Sequence, residues 1–363
     1  MSQPVVRTIL HAFSTFKLGG PQARFVALAN QFGGTYRHVI VAMDNQFTAA
    51  DLLEMQVNYE LMPLPIQKGG AFANRQAFRQ VLQQIKPDLV LSYNWGAIEW
   101  ALANVPKLCP HVQVEDGFGP EEALAQLPRR VMTRKLLFWL TATRLVVPSK
   151  LLLQIASSIW RVPQRQRCYI ANGVDVPATA KAFAPAGPIT IGTVAAIRKE
   201  KNIARLVRAF AVAAQQADLR LIIVGDGPEL SAVKALVNEL QLSSLVTFTG
   251  YQKKPTEFLA QFDVFALSSD TEQLPIAMLE AMAAGLPVVA TQVGDVPSIF
   301  ANTANSYIAK IDDADFTSTL LRAIATREQW PQIGANNRKI IETDYALKQM
   351  QAAWQQLFDT GNV

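Results

Sequence analysis

The stretch Ser268 to Gly294, SSDTEQLPIAMLEAMAAGLPVVATQVG, decides how this chain is organised. Just before it, Asp263 to Leu267 is a short apolar run that reads as a strand. Ser268 to Gln273 is a polar loop, Pro275 has the fixed φ that suits a first helical position, and Ile276 to Ala284 is apolar and Ala-rich enough for a packed helix. Gly285 ends that helix, and Leu286 to Thr291, containing PVVA, reads as a second buried strand. The unit is strand, loop, helix, strand.

Two carboxylates punctuate it: Glu272 in the loop and Glu280 a little over one turn into the helix, with seven residues between them. A helix entered from a polar loop offers unpaired N–H groups and a positive dipole end, which suits a phosphate. The spacing lets both carboxylates face one crevice, where they accept hydrogen bonds from vicinal hydroxyls. Together these features suit a molecule with a diphosphate in the middle and sugars at both ends, a nucleotide-sugar. A buried helix with an acid that merely complements its dipole is the plainer alternative for Glu280.

The stretch resembles the E-x7-E signature of family 4 glycosyltransferases, a retaining group with the GT-B fold. Glu272 and Glu280 match the two acids, EAMAAGLPVVAT follows as in that family, and Gly294 falls at its next Gly-containing turn. The resemblance implies that Glu280 holds ribose hydroxyls and Glu272 the transferred sugar, with backbone at Gln273, Leu274 and Ile276 facing the diphosphate. Pro275 has no N–H to give. Gln273 departs from the Gly that often follows the first Glu, which leaves the donor sugar open.

The rest of the chain extends this pattern. With 363 residues, half of them apolar, it is long enough for two full cores. Lys and Arg exceed Asp and Glu by 34 to 29, a mild excess that favours anionic substrates or membrane surfaces without requiring nucleic acid. Cys109 and Cys168 stand far apart with no metal-ligand or disulfide spacing, so a reducing compartment is the default. Val5 to Phe13 reads as the first strand rather than a leader, and Arg144, Pro148 and Lys150 interrupt the most apolar later region. A soluble or peripheral cytoplasmic protein is expected.

After the first strand, Gly19 and Gly20 form a loop, Pro21 starts a helix and Arg24 lies one turn inside. Such a loop brings backbone close to a ligand, or is simply a tight turn; the resemblance implies that it faces donor and acceptor. Strands at Tyr36–Met43, Val57–Leu64 and Pro87–Tyr93 alternate with a helix at Asn74–Ile85, the signature of a parallel sheet. Trp95 and Trp100 follow the last of these strands and serve either an acceptor sugar or the core. In HVQVEDGFGPEE, Asp116 occupies about the place where the family has a His near the donor sugar; an Asp-Gly turn explains it equally well. Glu121 and Glu122 most simply begin a helix. Arg129, Arg130, Arg134 and Lys135 then fall at helical spacing beside apolar residues, so 128–140 presents either a solvated basic face or a contact for the inner face of the cytoplasmic membrane.

IANGVD, ending at Asp175, is a family landmark that closes a first domain at 1–176, and the Pro/Ala/Gly-rich 177–188 reads as a linker. A second Rossmann-like domain is expected over 189–344, with a final helix in 345–363 crossing back to the first. In the loop before the Ile203 helix, Lys201 matches a family Lys that neutralises the leaving diphosphate; Ala196 stands where an Arg is usual, leaving Arg198 as its substitute. Gly225-Asp-Gly227 begins like a dinucleotide fingerprint, but Leu230 takes the place of the third glycine, which disfavours a nicotinamide enzyme. In the family this run packs near the nucleotide, and the residues after Gly250, here Tyr251, meet the base. Asp312, Asp313 and Asp315 superficially offer a metal pattern, and N-capping by Asp315 explains them better. The expectation is an α/β GT-B protein of two Rossmann-like domains facing across a cleft. Its expected activity is retaining transfer from a UDP- or GDP-sugar to a glycan or lipid-linked acceptor, with neither cofactor nor metal and without nucleic acid as a partner. An epimerase or phosphorylase of the same fold, or a non-catalytic nucleotide-sugar scaffold, remains the alternative.

Overall fold

A computed structural model of the chain describes residues 6–66, 71–118, 122, 126–184, 186–301 and 307–361, with backbone only at 71–73. Gly119 and Glu121 of the HVQVEDGFGPEE segment lie outside the described residues. The chain divides into two compact units, Met1–Ala171 with Met350–Val363, and Asn172–Gln349.

Unit 1 is built on a parallel sheet of β1 (Arg7–Phe13), β2 (Tyr36–Ala42), β3 (Asn58–Leu61), β4 (Leu89–Tyr93), β5 (His111–Val114), β6 (Arg144–Val147) and β7 (Arg167–Tyr169), in the order β3-β2-β1-β4-β5-β6-β7. Every residue of β4 and β5 is buried, as expected of strands covered on both faces. β3 is an edge strand and shorter than the apolar run suggests, and three of its four residues are exposed. The helix Leu347–Thr360 begins in unit 2, and its residues from Met350 on belong to unit 1. There Tyr36 donates to Asp359 at 2.6 Å, and Phe358 meets the rings of His11, Tyr36 and His38 edge-on.

Unit 2 repeats the plan with β8 (Ile189–Val194), β9 (Leu219–Val224), β10 (Val246–Gly250), β11 (Val264–Leu267), β12 (Val288–Thr291) and β13 (Tyr307–Ala309), ordered β10-β9-β8-β11-β12-β13. Its core is the apolar face of the helix Ile203–Ala213, with Leu206, Val207 and Phe210 wholly buried against the strands. Asn202 caps that helix by accepting from the Arg205 amide at 3.1 Å.

Both sheets have the Rossmann order, in which the winding direction reverses between the first and fourth strands. The carboxyl ends of β1 and β4 in unit 1, and of β8 and β11 in unit 2, are therefore where ligand crevices open. Two local expectations need correction. Pro275 is not the first helical residue: with φ −75° and ψ 100° it is extended and precedes the helix Ile276–Ala283. The cap of the helix Asp313–Ala325 is Asp312, which accepts from the Asp315 amide at 2.9 Å, while Asp315 itself accepts from the Lys310 amide.

Candidate functional site

The carboxyl ends of β8 and β11 bring two loops together in unit 2. The loop after β8 makes a short 3-10 turn over Lys199–Lys201, and the loop after β11 is the acid-bearing Ser268–Leu274 segment. Lys201 Nζ lies 2.5 Å from Glu272 Oε1, and Ser269 Oγ donates to the same oxygen at 2.8 Å. The two side chains are 25% and 11% exposed, so the pair is sheltered yet reachable from solvent. Arg198 does not join them; its side chain is 62% exposed and its acidic neighbour is Glu200, at 4.0 Å.

A second set of bonds, not foreseen from the sequence, latches the two loops. The Asp270 amide donates to the Glu200 carbonyl at 2.8 Å, and Ser268 Oγ to the Lys201 carbonyl at 3.1 Å. Asn202, in the left-handed region at φ 42°, donates to both Asp270 oxygens. Arg205 is buried and reaches Asp270 at 2.7 Å, the Ser268 carbonyl at 3.0 Å and Asp313 at 2.9 Å. Arg205 thus fixes the acid-bearing loop to the helix that follows Lys201.

Backbone packing completes the arrangement. At Gly294, with φ +53°, a Cβ would lie 2.4 Å from the Gln273 carbonyl oxygen and 2.5 Å from that of Glu272, so only glycine lets the turn after β12 close on the acid loop. The Asp295 amide then donates to the Gln273 carbonyl at 2.9 Å. Gly225, at φ +136°, similarly lies under the Ala195 carbonyl, where a Cβ would come within 1.9 Å. Leu274 is buried, Ile276 is partly exposed at the helix start, and Tyr251 stands exposed beyond β10. Glu280 lines a cavity of about 530 Å³ with Asp175, Pro177, Lys181, Thr256 and Ala284; Glu272 is not among its lining residues. Burial, with the negative charge of Asp175 added, pushes the Glu280 carboxyl up to about 7.

In unit 1 the corresponding edge holds a cavity of about 640 Å³ lined by Asn94, Trp95, Gly96, Asp116, Arg130 and Arg134, among others. Asp116 is engaged by both guanidinium nitrogens of Arg24, the Nη2 contact measuring 3.0 Å, and its amide donates to Asn94 Oδ1 at 2.8 Å. Asp116 is therefore half of a sheltered bidentate pair rather than a free carboxylate in a turn. Arg24 in turn stacks over Trp354. Gly19 precedes the helix Gly20–Phe32 in extended conformation, and a Cβ at Gly20 would meet open space. Trp100 is core, stacked on Phe78 at 4.4 Å, whereas Trp95 lines the cavity with the guanidiniums of Arg130 and Arg134 each 5.0 Å from its ring. Glu122, in a 3-10 turn, is buried and pairs with Arg130 at 3.1 Å and Arg134 at 3.5 Å. No cluster of His, Cys, Asp and Glu suited to a metal occurs among the described residues.

Comparison with known proteins places these observations. Residues 178–340 match the family model for glycosyl transferases group 1. The N-acetyl-alpha-D-glucosaminyl L-malate synthase of Bacillus anthracis is 36% identical over 116 residues, 32% of this chain and 30% of that protein. The lipopolysaccharide core biosynthesis glycosyltransferase LpsD of Rhizobium meliloti is 27% identical over 164 residues, 45% of this chain and 47% of that protein. The chain thus spans under half the length of each of these relatives. The crystal structure of Anabaena HepE in complex with UDP superposes with a TM-score of 0.80 over 97% of this chain and 100% of that one. At 18% identity that likeness shows the fold, two parallel-sheet α/β domains of the GT-B type. Residues 178–340 thus match the group 1 glycosyl transferases, within a chain whose fold is of the GT-B type.

Proposed function

We propose that this chain is a retaining, metal-independent glycosyltransferase of the hexosyl type, moving a sugar from a UDP- or GDP-sugar to a hydroxyl of a glycan or lipid-linked acceptor. The observation that supports it most is the Lys201–Glu272 pair at the switch-point edge of unit 2, beside the N-terminus of the helix Ile276–Ala283. The ammonium and the free amides of that helix start take the donor diphosphate, which a helix N-terminus favours. Glu272, whose two bonds both fall on Oε1, accepts from a sugar hydroxyl through its other oxygen. Glu280 accepts from the ribose hydroxyls.

In the transfer step the bond from the anomeric carbon to the leaving phosphate oxygen breaks, and a bond to the acceptor oxygen forms on the same face. The acceptor proton passes to the departing phosphate, and Lys201, with Arg198 as a second cation, stabilises the charge that develops there. Lipopolysaccharide core biosynthesis, named for the LpsD relative, is the kind of setting proposed for it, with unit 1 receiving the acceptor.

The test is a panel of UDP- and GDP-sugars incubated with the purified chain, with thermal stabilisation and free nucleotide as readouts. One donor that stabilises the protein and releases nucleotide, and does neither with Glu280→Ala, supports the reading. Binding with no nucleotide release from any donor would replace it with a scaffold, and no binding at millimolar donor would remove the donor site altogether.

A further inference from the structure

Residues 123–174 contain nine Lys or Arg and no Asp or Glu, although the chain as a whole is nearly balanced. The helix Pro128–Leu140 lies in this acid-free segment, and of the cations expected on its basic face only Arg129 is exposed. Arg134 is buried against Glu115 and Glu122, and Arg130 is drawn onto Glu122. The face left in solvent is apolar: Met132, Leu136, Trp139 and Leu140 are 55%, 47%, 78% and 65% exposed. With Arg129, also exposed, they fall at the spacing of one helical stripe. The stripe does not stop at the helix end. Leu140 lines a cavity with Val105 and Lys107, and Leu102, Val105 and Leu108 extend the exposed apolar surface there. Lys107 lines the same cavity as Leu140, Arg129 continues the stripe, and Lys150 and Arg161 are further exposed cations of the acid-free segment.

An apolar stripe ending in Trp and Leu, carried by a segment whose charges are all positive, has one fitting occupant. A second copy docked through the same face would set two such positively charged segments against each other, a like-charge juxtaposition that opposes association. A bilayer interface with anionic headgroups meets both demands: the interfacial zone takes Trp and Leu, and the lipid phosphates take the cations. No described helix is long and apolar enough to cross a membrane, so the contact is one of lying on the surface.

We propose that unit 1 docks on an anionic membrane surface by inserting Met132, Leu136, Trp139 and Leu140, with the exposed cations on lipid phosphates. The same helix supplies Arg130 and Arg134 to the cavity beside Trp95 and Asp116. A lipid-linked acceptor held at the membrane would therefore reach that cavity along the docked helix. This purpose rests on the glycosyl-transfer reading; the docking does not.

The experiment uses the full chain without donor, mixed with vesicles of phosphatidylcholine containing about a third phosphatidylglycerol, and with phosphatidylcholine alone, read by flotation and tryptophan emission. Expected are binding to the anionic vesicles, a blue shift absent from Trp139→Phe, and binding about tenfold weaker in Leu136→Glu and in Trp139→Ala. Nucleotide-sugar stabilisation of the variants serves as the control that they are folded. Some binding should survive high salt, because the inserted groups are apolar. Equal binding by wild type and Leu136→Glu, complete loss in high salt, equal binding to vesicles without anionic lipid, or self-association abolished by Leu136→Glu with no vesicle binding would each overturn the proposal. Loss of transfer activity with docking intact would fault the enzymatic reading alone.

Discussion

Replacing His111 by Gln should remove part of the acid sensitivity of unit 1. The chain has three histidines, His11, His38 and His111, and all three are buried in the first sheet. His111 hydrogen-bonds Ser92 Oγ at 2.9 Å and Thr143 Oγ1 at 3.1 Å, partners that suit a neutral ring, and burial pushes it down to about 3. A histidine depressed in the folded state contributes stability that is complete above its unfolded value of 6.5 and is lost as pH falls toward the folded value. At pH 5 the unfolded ring is nearly all protonated and the folded ring is not. The loss between pH 7 and pH 5 is then about 2 kcal/mol for this one group. Gln keeps hydrogen-bonding ability at the site but cannot titrate. Five of the six tryptophans, Trp95, Trp100, Trp139, Trp160 and Trp354, belong to unit 1, so fluorescence-detected urea unfolding follows that unit. With a slope of about 2 kcal/mol per molar, the wild-type midpoint should fall by about 1 M more than the variant's between the two pH values. The comparison cancels opposing groups such as Glu99 and Glu115, which burial pushes up and which therefore favour the folded state in acid. Equal midpoint shifts in the two proteins would refute the reasoning.

The remaining expectations concern unit 2. Lys201→Ala should lower turnover by about a hundredfold or more with circular dichroism unchanged, and undiminished turnover would remove Lys201 from the chemistry. Asp270→Ala, at a position 41% exposed, should cost about 1 kcal/mol of stability yet lower kcat about tenfold by freeing the acid loop; a Tm loss with normal kcat would make the latch purely structural. Because Glu280 is held at about 7, wild-type donor affinity should rise between pH 6 and pH 8 as the carboxylate forms, and Glu280→Gln should flatten that rise in titration calorimetry. A flat wild-type profile would place the ribose elsewhere. Gly225→Ala should destabilise unit 2 by about 2 kcal/mol or more in denaturant melts, since its Cβ would overlap the Ala195 carbonyl at a φ of +136°.

The strands and the acid-bearing loop were legible because their signals are local. PVVA after Gly285 is a buried strand in any context that ends a helix there, and β11 and β12 sit within two residues of the expected places. The Lys201–Glu272 pairing was legible only as two loop residues with matching chemistry, since nothing local sets two side chains 71 positions apart at 2.5 Å. Arg205 and Asp270 escaped for the same reason. Each looks solvated in its own segment, and their role follows from the sheet order, which sets the loop after β8 beside the loop after β11.

Unit 1 shows where a charge pattern misleads. Arg129, Arg130, Arg134 and Lys135 fall at helical spacing, and cations on a helix normally point to water because burying one is costly. Here that cost is offset by two carboxylates from outside the helix, Glu115 and Glu122, and by the faces of Trp95 and Trp160, so Arg134 turns inward. Glu115 lies just past β5, and Glu122 is the described residue of a segment that reads as a turn followed by a helix start. No periodicity within 128–140 reveals those partners. Once the arginines are drawn inward, rotation about the helix axis is fixed, and Leu136, Trp139 and Leu140 are left outside. The exposed apolar stripe follows from the buried ion pairs, so a change that breaks them, such as Glu122→Gln, should loosen the helix orientation and weaken vesicle binding without touching any exposed residue. Unaltered binding in that variant would show that the stripe is held by Leu137 and Phe138 packing alone.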